Sequence, residues 1–172
     1  GIVGANASNT LTIDGGDSSL TIISEDGTLS FAALTIANAD YVTIRNMSFI
    51  YGGATGAGAI LANANHNVVS NCQIIADTTT TTSLMYGVSL SGASGSHSTG
   101  ARTDNNIIRD NVIKGGYYGI RAYGSVSDPV NNLVIENNSI EKAYYYGVYM
   151  FYADTLTMTD NTIDMEARAN IN

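Results

Sequence analysis

The same short word recurs five times along this chain. Ile44, Val69, Ile108, Ile135 and Met158 each precede, by five residues, Phe49, Ile74, Ile113, Ile140 and Ile163. Two residues after each member of the first set stands Asn46, Asn71, Asp110, Asn137 or Asp160. Four residues before each stands Asp40, Asn65, Asp104, Asn131 or Asp154. A third set reads Leu34, Ile60, Val88, Ile120 and Val148. Successive members of the second set lie 25, 39, 27 and 23 residues apart. Constant words with elastic gaps mark a stack of similar coils, with insertions confined to loops on its rim.

The words are too short for helices and alternate with period two, so they are strands. Turn residues separate three of them in each coil. A chain that returns to the same three strands stacks them as three parallel sheets, with like residues in columns. Asn and Asp at the bends tolerate left-handed backbone and bond to nearby backbone, and stacked amides can bond to one another. Leu11-Thr12-Ile13 reads as a strand followed by the turn Asp14–Asp17. Leu20-Thr21-Ile22 stands 22 residues before Val42-Thr43-Ile44, which places the start of the first coil there. The expectation is an all-β solenoid of about six coils over residues 1–172, one domain without an internal linker. Ile108, Ile113, Ile120, Ile135, Ile140 and Val148 are expected to point inward.

The segments YVTIRNMSFI, NNIIRDNVI, LVIENNSI and LTMTDNTI, with YGV, YGI and YGV, resemble the right-handed parallel β-helix superfamily. This is the fold of pectate lyases and of many bacterial repeat proteins. The resemblance covers nearly the whole chain and implies a right-handed coil. It implies Ca²⁺ only if the chain is lyase-like, where a basic residue would act with carboxylate-held Ca²⁺.

The net charge of −8 argues against nucleic acid and anionic membrane as partners. Charged residues make up only 13%, with Asn, Thr, Ser and Gly filling the surface, which suits an extracellular or cell-surface protein. The single cysteine, Cys72, stands just after a bend Asn, where the other words have Met47, Asn111, Asn138 and Asn161; it reads as a filler thiol. No metal-ligand spacing is present. No signal peptide and no apolar run of membrane length is present, so membrane insertion is not expected. The start at Gly1 and the closing ARANIN point to an excerpt of a longer secreted protein. Its terminal coils should then stack on neighbouring coils or on other copies.

The loops Ser91–Asp104 and 124–132 both leave the strand that carries Val88 and Ile120. Loops grouped on a rigid scaffold are where function concentrates. The outward positions of that strand read Thr35, Leu61, Ser89, Arg121 and Tyr149. Eight of the eleven tyrosines lie between residues 117 and 152. Alignment stacks Tyr86 with Tyr118 and Tyr146, and Tyr117 with Tyr145. The candidate ligand-binding set is Arg121, Tyr149, Tyr123, Tyr117, Asp128 and His97, for a polysaccharide lying on the rings or paired with the guanidinium. Asp104 and Asp110 occupy the repeated turn positions, and no catalytic pair stands out. The paired-Asp and Gly-His-Gly signatures of polygalacturonases and the Asp-His pattern of pectate lyases are missing. Three readings follow: a structural or adhesive module that contacts glycans, a carbohydrate-binding module, and a polysaccharide lyase or hydrolase for an acidic polymer.

Overall fold

The apolar words do fall on strands, and the strands close into coils. The structure, a computed structural model, describes residues 5–28, 30–91 and 103–165. The first coil holds β1 (Leu11–Asp14), β2 (Ile22–Glu25) and β3 (Ala32–Ala37). The second holds β4 (Val42–Arg45), β5 (Ser48–Tyr51) and β6 (Gly56–Ala62). The third holds β7 (Val68–Ser70), β8 (Gln73–Ile75) and β9 (Met85–Ser91). The fourth holds β10 (Ile107–Arg109), β11 (Val112–Lys114) and β12 (Tyr118–Tyr123). The fifth holds β13 (Val130–Glu136), β14 (Ser139–Glu141) and β15 (Tyr146–Phe151), and β16 (Ala153–Thr159) with β17 (Thr162–Asp164) begin a sixth.

Each coil contributes one strand to each of three sheets, and every pairing is parallel. Among the described residues the first sheet (from β1) and the second (from β2) have six strands, and the third (from β3) has five. The stack is therefore five full coils and two strands of a sixth. The core runs along its axis. Ile13, Ile44, Val69, Ile108, Ile135 and Met158 pair in register as one column. Ile23, Phe49, Ile74, Ile113, Ile140 and Ile163 form a second. Ile108, Ile113, Ile120, Ile135 and Ile140 are fully buried, and Val148 packs against them half-buried near the end of the stack. Each buried Ile contributes roughly 1.5–3 kcal/mol of hydrophobic stabilisation.

Two registers differ from the expectation. Leu20-Thr21-Ile22 does not pair with Val42-Thr43-Ile44; Leu11-Thr12-Ile13 does. The two triplets look alike, and the choice is made at the bend, where Asp14 accepts hydrogen bonds from Asn46 Nδ2 at 2.8 Å and Arg45 Nε at 2.8 Å. Leu20 is left 80% exposed. In β6, Ala59 takes the inward place expected for Ile60, pairing with Leu34 and Val88. Ile60 faces outward opposite Thr35 and Ser89, and Leu61 turns inward between Ile36 and Leu90. An apolar run such as Ala59-Ile60-Leu61-Ala62 reads the same in either register. The neighbouring Gly58 decides, because it must align with Gly87.

The corner between the first and second sheets is held by polar side chains. Asn46, Asn71, Asp110, Asn137 and Asp160 all have φ between 51° and 57°, the left-handed conformation that Asn and Asp accept most readily. The residue after each turns inward. Asn138 Oδ1 accepts from the Asn111 backbone N–H at 3.1 Å, and Asn138 Nδ2 donates to the Ile108 carbonyl at 2.9 Å. Asn111 does the same to Cys72 and Val69, and Asn161 to Asn138 and Ile135. A second buried ladder at the corner entering the first sheet runs through Asn67 and Asn106. Without these amides each corner would orphan a buried N–H and carbonyl, at about 1–3 kcal/mol per group.

Ile135→Asp puts a carboxylate between Ile108 and Met158, where the column offers it no partner. It is expected to destabilise the fold by roughly 3–5 kcal/mol, read as a lowered urea midpoint. An unchanged midpoint would show that Ile135 does not face the core.

Candidate functional site

The repeated Tyr-Gly pair creates the corner where the tyrosines meet. Strict alternation would put Tyr118 and Ile120 on one face of β12. Instead Ile120 is in the axial core while Tyr118 packs in a separate cluster outside the third sheet, with Tyr86, Ala57 and Ile60. The chain changes face at Gly119. A Cβ there would meet the Gly147 carbonyl oxygen at 2.5 Å and Ile140 Cγ2 at 2.5 Å. Gly87 faces the same obstacle from the Gly119 carbonyl and Ile113, and Gly58 and Gly147 from Ile74 and Ile163. Only glycine fits this column, and it lets residues before and after it share the outer face.

Three outward columns result. Tyr86, Tyr118 and Tyr146 stack with centroids 5.5 and 5.7 Å apart, the planes within 8°. Ser89, Arg121 and Tyr149 form the middle column. Tyr123 stacks on Phe151 at 4.7 Å. The turns entering the sheet add Tyr117 on Tyr145 at 5.3 Å and Tyr144 against Tyr117 at 5.3 Å. Tyr145 is 56% and Tyr146 40% exposed, whereas Tyr117, Tyr123 and Tyr149 are half-buried.

Arg121 lies inside this aromatic wall and is only 7% exposed. Its guanidinium carbon stands 4.5 Å from the ring centre of Tyr123, 5.3 Å from Tyr86, 5.6 Å from Tyr118 and 5.9 Å from Tyr149. Cation–π attraction in such a desolvated setting is about 2 kcal/mol or more for a good pair. Burial pushes the Tyr86 and Tyr118 phenols above their ordinary range, and the Arg121 charge pulls both back down.

Of the residues expected at the site, Arg121, Tyr149 and Tyr123 come together. Tyr117 joins through Tyr118, 4.8 Å away. Asp128 lies in the loop between β12 and β13, where its N–H donates to Ser125 Oγ at 3.1 Å. His97 falls outside the described residues. Tyr86 and Tyr118, expected only as a stack, are half of the cage around Arg121; the Tyr-Gly pairs were the sequence signal for it. The carboxylates of Asp104 and Asp110 serve the scaffold at other corners. Asp104 Oδ1 accepts from the Asn131 N–H at 2.9 Å, and Asp110 Oδ1 from Asn137 Nδ2 at 2.6 Å. Among the described residues no three His, Cys, Asp or Glu side chains converge as a metal site.

A family model described as "Right handed beta helix region" matches residues 1–163. The chain belongs to this family. The stack of three parallel sheets is accordingly a right-handed β-helix. Comparisons with curated proteins and with solved structures returned no match. Membership in the right-handed β-helix family accounts for the coils and ladders; the tyrosine corner is a feature of this chain's own side chains.

Two outcomes test this geometry. Gly119→Ala forces Cβ into a backbone carbonyl that cannot move without its rung, so it should cost roughly 1–3 kcal/mol in a urea melt. A melt unchanged from the parent chain would refute the glycine column. The second is alkaline titration. Tyr86 and Tyr118 have folded pKa values above the unfolded value near 10. On raising the pH the unfolded chain therefore loses these protons first. The stability they contribute is full below about pH 10 and is lost as pH rises through the folded values. Arg121→Met should move the last-titrating phenols, followed by tyrosinate absorbance, further upward; a shift downward would contradict the cage.

Proposed function

We propose that this right-handed β-helix is a structural, adhesive module of a secreted or cell-surface protein, and that it contacts polysaccharide through its tyrosine corner. The observation that carries this reading is the exposure of Tyr145 and Tyr146 at the edge of a ladder that holds them rigid. Sugar rings bind through their C–H faces and their hydroxyls. A tyrosine offers both a flat apolar face and a hydroxyl. Rings already ordered by stacking lose little entropy on binding. The sparse surface charge and abundance of Asn, Thr and Ser add neutral hydrogen-bonding groups around them.

The terminal coils support the modular part. Ile13, Ile22 and Ile23 at one end, and Leu156, Met158 and Ile163 at the other, are exposed members or neighbours of the axial columns. The same column thus presents like residues at both ends. A neighbouring coil, or another copy stacked end to end, would cover them and pair the strand edges that lack a partner strand among the described residues.

The test is affinity electrophoresis in gels cast with neutral and acidic polysaccharides. The parent chain should be retarded by at least one polymer. Tyr145→Ala with Tyr146→Ala should weaken that retention by roughly tenfold, two ring contacts' worth, with thermal melts confirming the fold. Absence of retardation in every gel, or equal retardation of the double variant, would defeat the reading.

A further inference from the structure

Arg121 is the buried cation among the described residues, and its charge is only half accommodated. The four tyrosine rings meet the guanidinium carbon within 5.9 Å. Such ring contacts balance charge, but they leave in-plane N–H groups in need of acceptors. Nε and Nη1 are buried and have no hydrogen-bond partner. Arg121 belongs to none of the ion pairs Arg45–Asp14, Arg109–Asp110, Arg109–Glu136 and Lys114–Glu141. A buried guanidinium with unmade charged hydrogen bonds is an unstable arrangement on its own. The scaffold nevertheless spends a whole outward column on it: Ser89 below and Tyr149 above give no acidic neighbour.

We infer that Arg121 is the anchor of an anion site, and that the anion is a carboxylate carried by the ligand. A planar carboxylate matches guanidinium N–H geometry, which a lysine could not offer. Tyr118, Tyr123 and Tyr149 would wall it and exclude water, strengthening the pair. This rests on the polysaccharide reading for its most fitting ligand class, an acidic sugar whose ring lies on the tyrosines while its carboxylate reaches Arg121. A free carboxylate has the same chemistry, and the experiment separates the two sources.

The experiment follows the arginine Nε–H signals of the protein by nitrogen–proton NMR. The Arg121 signal is assigned by its loss in Arg121→Met. Sodium glucuronate, sodium acetate and glucose are added in turn at constant ionic strength. Glucuronate should shift the Arg121 signal saturably, and glucose should not. A matching shift with acetate means that the site takes carboxylates from any source; a shift with glucuronate alone means that the sugar ring is recognised too. Both support the site. An Arg121 signal unmoved by glucuronate and by acetate overturns it, and this outcome needs only the parent chain, so a misfolded variant does not obscure it. Arg121→Lys, which keeps the charge, should bind glucuronate about tenfold more weakly. The two proposals fail separately. Loss of the polysaccharide reading leaves an acetate shift at Arg121, whereas loss of the anion site leaves the retardation by neutral polymers through Tyr145 and Tyr146.

Discussion

A strand that stacks on its own copies must leave through a corner, and the corner's backbone groups lie too deep for water and outside any strand ladder. How those groups are satisfied governs everything else in this protein. At the corner between the first two sheets, a left-handed Asn or Asp turns the chain, and the next residue sends an amide into the neighbouring coil. Each amide accepts from one rung and donates to another carbonyl, so the coils are tied by side chains as well as by strands. The ladder ends at Cys72, whose backbone N–H still donates to Asn111 Oδ1. Its own thiol sits 3.9 Å from the Ile44 carbonyl, a poor substitute for an amide. Burial raises the thiol's pKa and keeps it a neutral filler. At another corner Asn67 ties the second coil to the third, and Asn106 ties the third to the fourth.

With the corners tied, the rungs become rigid enough for a second constraint to act. Facing rungs approach closely beside Gly58, Gly87, Gly119 and Gly147, and no side chain fits between them. The glycines do more than relieve crowding. By letting the chain change face, they place Tyr86, Tyr118 and Tyr146 on the same surface as Arg121 and Tyr149. The outer layer so formed is partly apolar, with Ala57, Ile60 and Ala62 buried in it. The third sheet is therefore covered on both faces, unlike a sheet with one wet side. That explains how an outward arginine comes to be buried.

The exposed ion pairs illustrate the opposite economy. Arg45–Asp14 at 2.8 Å and Lys114–Glu141 at 3.0 Å join adjacent rungs on the rim. In solvent such pairs contribute roughly 0–1 kcal/mol each and mark register more than they add stability. Arg121 is the reverse case: its position is costly for folding alone, and costly polar burial is where a scaffold's function tends to be found. Asp104 and Asp110 lie at other corners of the coil and are committed to the ladders there.

The sequence by itself determined the stack. Period-two words, recurring Asn and Asp, and elastic gaps leave three parallel sheets as the one arrangement that buries every word, because columns of like residues need like neighbours. The inward Ile135 and Ile140 columns and the bend asparagines were legible for that reason. Tertiary structure decided what repetition leaves degenerate. Leu11-Thr12-Ile13 and Leu20-Thr21-Ile22 are equivalent as patterns, and only the bonds of Asp14 to Arg45 and Asn46 separate them. Ile60 and Leu61 are equivalent as apolar residues, and only the approach of Gly58 to Gly87 assigns their faces. The tyrosine corner could be located by its insertions and its composition. That its cation would be enclosed by four rings, with two nitrogens unpaired, depended on distances between coils that no single repeat encodes.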